Sequence, residues 1–158
     1  MNCIKTSNDC TIERDNMKKY KIGYTTGVFD MFHIGHLNIL KRAKEQCDYL
    51  IVGVTTDELC LIRKNKKPII SQNDRVSIVS AIKYVDEVVL QTDMNKTEAV
   101  KRYNVDAVFV GSDWKNSDTW IQYEKEFSKF GCDVVYLEYT EGISSSVLRE
   151  KLNDSFDT

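Results

Sequence analysis

The chain has 158 residues, 42% apolar and 29% charged, with a net charge of −2, which is the size and balance of one globular domain with its own core. With a pI of 5.7 it offers no basic field for a nucleic acid or an anionic membrane, so a small molecule or another protein is the expected partner. No apolar run approaches the roughly 18 residues of a membrane span, and the first twenty residues lack the apolar core of a secretion signal; a cytosolic location is expected.

Residues 1–18 are polar and aperiodic and read as an N-terminal arm, either mobile or an oligomer contact, ahead of a domain over 19–158. From there short apolar runs alternate with amphipathic ones. "KIGYTTGVF" reads as a strand, and "HLNILKRAKEQ" as a helix with Leu37, Leu40 and Ala43 on one face. "DYLIVGVTT" is a continuous apolar strand of the kind buried on both sides. A basic loop with the single proline, Pro68, separates Asp57 from Ser71. "SQNDRVSIVSAIKYV" follows as a helix, with Ser71 as its cap and Ile78, Ala81, Ile82 and Val85 at helical spacing. Strand "EVVL", helix "KTEAVKRYN", strand "DAVFV", helix "SDTWIQYEKEFSKFG", strand "DVVYLE" and a helix through "SSVLREKL" complete the pattern.

Five strands joined through helices must run parallel, which predicts a three-layer, Rossmann-like α/β fold with a five-stranded parallel sheet and right-handed crossovers. Ligands of such sheets bind beyond the carboxyl ends of the strands, where strand order reverses. The segments "GVFDMFHIGH", "TTDE", "GSDW" and "EYTEGISSS" each follow a strand and are expected to meet on one rim. The five cysteines, Cys3, Cys10, Cys47, Cys60 and Cys132, are odd in number and lack the spacing of a zinc site or a redox pair, which fits reduced packing residues.

The two histidines of the chain stand together in His33-Ile34-Gly35-His36, at the mouth of the first predicted helix. Unpaired N–H groups and the macrodipole make a helix amino end a seat for phosphate, and two imidazoles there add directed donors. Such donors are the main contribution a protein makes to phosphoryl transfer. Two other readings stand beside this one. A His-x-x-His pair can bind a metal, though zinc takes three or four protein ligands and no further histidine or paired cysteine is at hand. Both rings can also be structural, bonded to backbone.

Gly27-Val28-Phe29-Asp30 with His33, Gly35 and His36 resembles the HxGH nucleotidyltransferase superfamily. Within it, "TTDE", "YVDEVV", "GSDW" and "EGIS" resemble the cytidylyltransferase family, closest to the glycerol-3-phosphate cytidylyltransferases, over residues 19–152. The resemblance implies an enzyme that transfers CMP from CTP to a small phosphate ester, glycerol 3-phosphate first, with Mg²⁺ as cofactor, in a homodimer. It implies catalytic roles for His33, His36 and Lys64. It implies nucleotide contacts from Val28, Phe29, Asp30, Lys66, Arg75 and Asp113, and from Tyr139, Thr140, Gly142, Ser144, Ser145 and Ser146. Lys64 and Lys96 are implied for the acceptor, and no protein-held metal site is expected.

Beside these, "RKNKKP" read alone is a solvated basic loop, Arg75 a surface ion pair, Asp30 a turn cap, and Trp114 a packing residue rather than a pocket wall, its other reading. One position departs from the resemblance. The motif that ends "EGIS" usually begins with arginine, and Tyr139 stands there, so a planar cation is replaced by a neutral phenol. An adenylyltransferase is therefore an alternative, as is a cytidylyltransferase for phosphocholine, phosphoethanolamine, or a sugar phosphate or phosphonate. A nucleotide-binding module without turnover is the alternative from another class.

Overall fold

A computed structural model of the chain describes residues 18–156; the rest of the expected arm, with Cys3 and Cys10, lies outside the described residues. Five strands, β1 (Tyr20–Gly27), β2 (Cys47–Thr55), β3 (Glu87–Gln91), β4 (Ala107–Gly111) and β5 (Asp133–Leu137), form one sheet in the order β3-β2-β1-β4-β5. All four pairings are parallel, as the strand and helix alternation requires. The helices among the described residues are α1 (Ile34–Gln46), α2 (Asp57–Lys64), α3 (Gln72–Ser80), α4 (Lys96–Arg102), α5 (Asp118–Ser128) and α6 (Ser145–Phe156). None is long and apolar enough to cross a membrane.

Two apolar clusters, one on each face, make the sheet the middle of three layers. Leu50, Val52 and Val54 of β2 pack with Leu40 and Ala43 of α1 and Val79 of α3. Ile51, between them in sequence, turns to the other face with Val100 of α4 and Trp120 and Phe127 of α5. This is why β2 has no polar alternation: both its faces are covered.

Two elements differ from the sequence reading. The stretch after Asp57, expected as loop, begins with α2. Thr56 Oγ1 accepts from Leu59 N at its start, acidic residues occupy its first turn and basic ones its last, and Asn65 closes it in the left-handed region. Only Leu59 and Cys60 of this helix are buried, so its apolar stripe is too short to register as a period. The helix after Ser71 ends at Ser80 rather than Val85. Ile82 and Val85 continue as turns and still pack on the core; their spacing records burial, not continuous helix.

Strand order reverses between β1 and β4. These strands pair at Gly23–Ala107 and Tyr24–Val108, and beyond that Thr25 Oγ1 donates to Phe109 O at 3.0 Å. The carboxyl ends of β1 and β4 therefore flank a crevice, the place where an open α/β sheet holds its ligand.

Candidate active site

The turn from β1 to α1 is unusual in its backbone. Phe29 (φ 55°) and Met31 (φ 48°) are non-glycine residues in the left-handed region, a conformation that persists only where surroundings enforce it. Asp30 between them supplies the enforcement. Its carboxylate, 2% exposed, accepts from the N–H groups of Ile69 and Ile70, both at 2.9 Å. It also accepts from Arg149 Nη2 at 2.5 Å, while its carbonyl accepts from Ser145 Oγ at 2.7 Å. Burial alone would raise the Asp30 carboxyl, but the two amides and the guanidinium outweigh it and hold the group below its ordinary value. One carboxylate thus ties the turn to the end of the basic loop and to α6.

His33 is the N-cap of α1. Its Nδ1 accepts from Gly35 N at 3.0 Å, and His36 Nδ1 accepts from His33 N at 3.2 Å. This is a capping box built from two imidazoles. With both Nδ1 atoms accepting, each neutral ring carries its hydrogen on Nε2. The rings stack with centroids 3.8 Å apart, and Phe29 lies edge-on to His36 at 5.3 Å. A Cβ on Gly35 would stand 2.9 Å from the His33 ring, so the glycine gives room to the imidazole itself. Burial lowers both histidines, His36 to about 4 with the His33 ring beside it as the second cause. Both are therefore neutral donors near pH 7. The structural reading of the pair describes these backbone bonds to Nδ1, and they leave each Nε2–H unused.

Two cavities meet at this turn. The first, about 330 Å³, lies in the crevice between β1 and β4. Val28, Phe29, His33 and His36 border it on one side and Asp113, Trp114, Tyr139, Thr140, Ser144 and Ser145 on the other. Asp113 and Trp114 form a short 3₁₀ turn after β4, and a Cβ on Gly111 would come within 2.5 Å of Asp113 Oδ1. Trp114, for which packing is the favoured reading and a pocket wall the other, is 50% exposed and a wall of this cavity. Asn38 of α1 donates to Thr140 Oγ1 at 3.1 Å and so draws the last motif against the first helix.

The second cavity, about 280 Å³, is basic: Lys64, Lys66, Lys67 and Arg149 border it together with Ser145 and Ser146. Val28, Phe29, His36 and Ser145 border both cavities. The segments "GVFDMFHIGH", "GSDW" and "EYTEGISSS" thus converge as expected. "TTDE" serves the rim from behind: Thr56 caps α2 and Asp57 pairs with Arg75 at 2.6 Å.

Three expected contacts fall elsewhere. Arg75 is fully buried, not on the surface, and borders neither cavity. It donates to Val28 O, Thr55 O and Ile70 O as well as to Asp57. Lys96 borders neither cavity. It is 7% exposed, lies over the Trp120 ring at 5.9 Å, and lines a separate cleft with Gln91 and Asp93; burial first, and Arg63 second, lower its ammonium to about 8. Gly142 (φ +79°) serves the turn before α6 and borders neither cavity. Arg149 and Lys67 were missed by sequence reasoning. The available signal for Arg149 was its spacing of four from Ser145, which puts both on one helix face.

Residues 24–151 match the family model described as Cytidylyltransferase-like. The chain belongs to that family, and with it to the nucleotidyltransferases. It is 39% identical over 129 residues to the glycerol-3-phosphate cytidylyltransferase of Bacillus subtilis, covering 81% of this chain and 94% of that one. It is 33% identical over 144 residues to the FAD synthase of Thermococcus sibiricus, covering 88% and 97%. Among solved structures, a lipopolysaccharide core biosynthesis protein from Thermoplasma volcanium superposes with a TM-score of 0.63 at 28% identity, over 76% of this chain and 96% of that one.

Proposed function

We propose that this family member transfers CMP from CTP to glycerol 3-phosphate, giving CDP-glycerol and pyrophosphate. One observation carries the reading: of the paired imidazoles, His36 borders both cavities and His33 the first, with backbone holding both Nδ1 atoms. In this reading the first cavity, about 330 Å³ and bordered by Asp113, takes the nucleoside, and Asp113 accepts from an exocyclic amine of the base. The second has the cations that phosphates need.

In this reading an oxygen of the acceptor phosphate attacks the α-phosphorus in line. The new P–O bond forms as the bond from the α-phosphorus to the bridging oxygen of the β-phosphate breaks, and pyrophosphate leaves with that electron pair. His33 and His36 donate from Nε2 to the α-phosphate oxygens as charge shifts in the transition state. Lys64 and Lys66, at the end of α2 and in the loop after it, screen acceptor phosphate and triphosphate as they approach each other. Ser144, Ser145 and Ser146 add hydroxyl and backbone donors at the start of α6. Valine and phenylalanine at 28 and 29 lie against the nucleotide where the cavities join.

Mg²⁺ enters this proposal as the counter-ion of the triphosphate. The residues do not fit a resident ion, because Asp30, the carboxylate of the second cavity, has both oxygens occupied. Among the described residues no group of three or more His, Cys, Asp or Glu is arranged to hold a metal. Magnesium keeps several waters and binds readily through phosphates. A cytoplasmic homodimer is part of the same proposal.

The test crosses the four nucleoside triphosphates, with Mg²⁺, against a panel of phosphorylated alcohols and sugars, with pyrophosphate release as the readout. CTP with glycerol 3-phosphate is expected to turn over fastest. Preference for ATP, or for another acceptor, would replace the substrate assignment, and no release with any pair would favour a binding module.

A further inference from the structure

We propose that Asn38 is a positioning residue, which turns the Thr140 hydroxyl into a hydrogen donor for an acceptor oxygen of the nucleotide in the first cavity. The inference rests on the nucleotidyltransferase reading for the presence of a nucleotide there, but not on which base or acceptor is used.

A threonine hydroxyl has one hydrogen to give and two lone pairs with which to receive. Which of these a ligand meets depends on what the protein has already taken. Thr25 and Thr140 both border the first cavity. Thr25 gives its hydrogen to Phe109 O at 3.0 Å, so it has only lone pairs left for a ligand. Thr140 is the reverse. Its Oγ1 accepts from Asn38 Nδ2 at 3.1 Å, and among the described residues no oxygen takes its own hydrogen. That hydrogen is left for the cavity.

Asn38 itself borders neither cavity, so any effect it has on a ligand passes through Thr140. Its hold is built into α1. Arg42, one turn further along the same helix face, donates from Nη1 to Glu138 O at 2.6 Å, so the chain is fastened on both sides of Tyr139. The same helix begins at the histidine pair, with His33 as its N-cap. One element therefore orients hydrogen donors on opposite sides of the first cavity.

The direction of the Asn38–Thr140 bond can be reversed with almost no change of shape. An amide carries both a donor and an acceptor, whereas an ionised carboxylate only accepts. In Asn38→Asp the Thr140 hydrogen goes to the carboxylate, and a ligand oxygen meets lone pairs instead. In Asn38→Ala the hydrogen stays available but is free to turn. A bond that only ties the chain down would survive the first change and be lost in the second; a bond that directs a hydrogen suffers more from the first.

The test is calorimetric titration with CTP and, in parallel, ATP, of the full chain, Asn38→Ala, Asn38→Asp, Thr140→Val and the two double variants, with melting curves to confirm folding. Asn38→Ala is expected to weaken the bound triphosphate by about two- to fivefold and Asn38→Asp by about ten- to a hundredfold. In the Thr140→Val background, where only the added charge remains, Asn38→Asp is expected to cost less than about threefold. Near-wild-type affinity in Asn38→Asp beside a loss in Asn38→Ala marks a merely structural tie and overturns the proposal. So do equal losses for Asn38→Asp with and without the Thr140 hydroxyl, or no loss in either single variant. If Asn38→Asp does not fold, the cycle of Asn38→Ala with Thr140→Val decides, and a coupling below about twofold overturns the assignment. A wild type that binds neither triphosphate overturns this inference and the nucleotidyltransferase reading together. The expected ordering with ATP and no binding of CTP would remove the cytidylyl assignment and leave Asn38 in place.

Discussion

His33 and His36 stack face to face at 3.8 Å, and each ring owes its tautomer to a main-chain amide: His33 Nδ1 to Gly35 N, His36 Nδ1 to the N–H of His33 itself. Helix capping thereby occupies Nδ1 of each ring, and the proposed reaction calls on the other nitrogen, Nε2, as a donor. The two duties can be separated by substitution. His33→Asn keeps a side-chain acceptor for the cap but removes the Nε2 donor; turnover is expected to fall about 10²- to 10³-fold with little loss of thermal stability. His33→Ala should lose about 1 kcal/mol of stability in addition. Pyrophosphate-release kinetics and melting curves read both, and a near-wild-type rate in the folded asparagine variant would contradict the role.

The pH dependence follows from His36. Burial, then the neighbouring His33, push its imidazole from 6.5 down to about 4 against a weaker opposite pull from Asp30. Between those values the unfolded chain binds more protons than the folded one, so this contribution to stability is full above pH 6.5 and is lost as pH falls toward 4. Urea midpoints are expected to drop across that window, and less so in His36→Gln. A bound triphosphate raises the same pKa, so binding near pH 6 should take up protons. Titration in two buffers of different ionisation enthalpy detects the uptake, and its absence would refute the placement of phosphate at His36.

Arg75 holds three carbonyls and Asp57 from a fully buried position. Arg75→Gln leaves most of these acceptors unmatched in the interior and is expected to cost about 3 kcal/mol or more of folding stability. Urea denaturation measures this directly; a cost below about 1 kcal/mol would mean that the cluster re-forms without the guanidinium.

Gly111→Ala probes Asp113 without touching it. The backbone there (φ −61°) accepts alanine, but the new methyl would meet Asp113 Oδ1 at 2.5 Å and displace that carboxylate at little cost in stability. If Asp113 reads the base, preference for one triphosphate over the others should relax by about tenfold in kcat/KM. Unchanged preference would assign selection of the base elsewhere.

Tyr139 is 52% exposed on the first cavity, so Tyr139→Arg is free to extend a cation into it. The KM for glycerol 3-phosphate is expected to fall several-fold to about tenfold if the missing guanidinium sets acceptor affinity. An unchanged KM would show that position 139 does not discriminate.

Much of this molecule is legible in its residues because burial and periodicity coincide. The run from Leu50 to Val54 has no polar alternation since opposite faces of β2 pack under different helices, and Ser71 caps α3 as its spacing implies. The histidine pair is legible for another reason: scarcity concentrated at a helix mouth. What the sequence conceals is direction. Arg75 and Arg149 are equally charged in one dimension, yet one faces inward onto carbonyls and the other borders solvent-filled space, a difference made by neighbours far away along the chain. Lys96 is likewise hidden by packing over the Trp120 ring, and α2 by having too few buried residues to show a stripe.

The grip of Asp30 on the amides of Ile69 and Ile70 has a consequence for how such a site can diversify. Main-chain hydrogens are common to every residue except proline, so the fastening is indifferent to which side chains the preceding stretch displays. Cations in residues 63–68 can be added or removed while the two amides that moor the end of the stretch stay the same. The mooring of the turn that carries the imidazoles is thereby insulated from the charge of the stretch beside it.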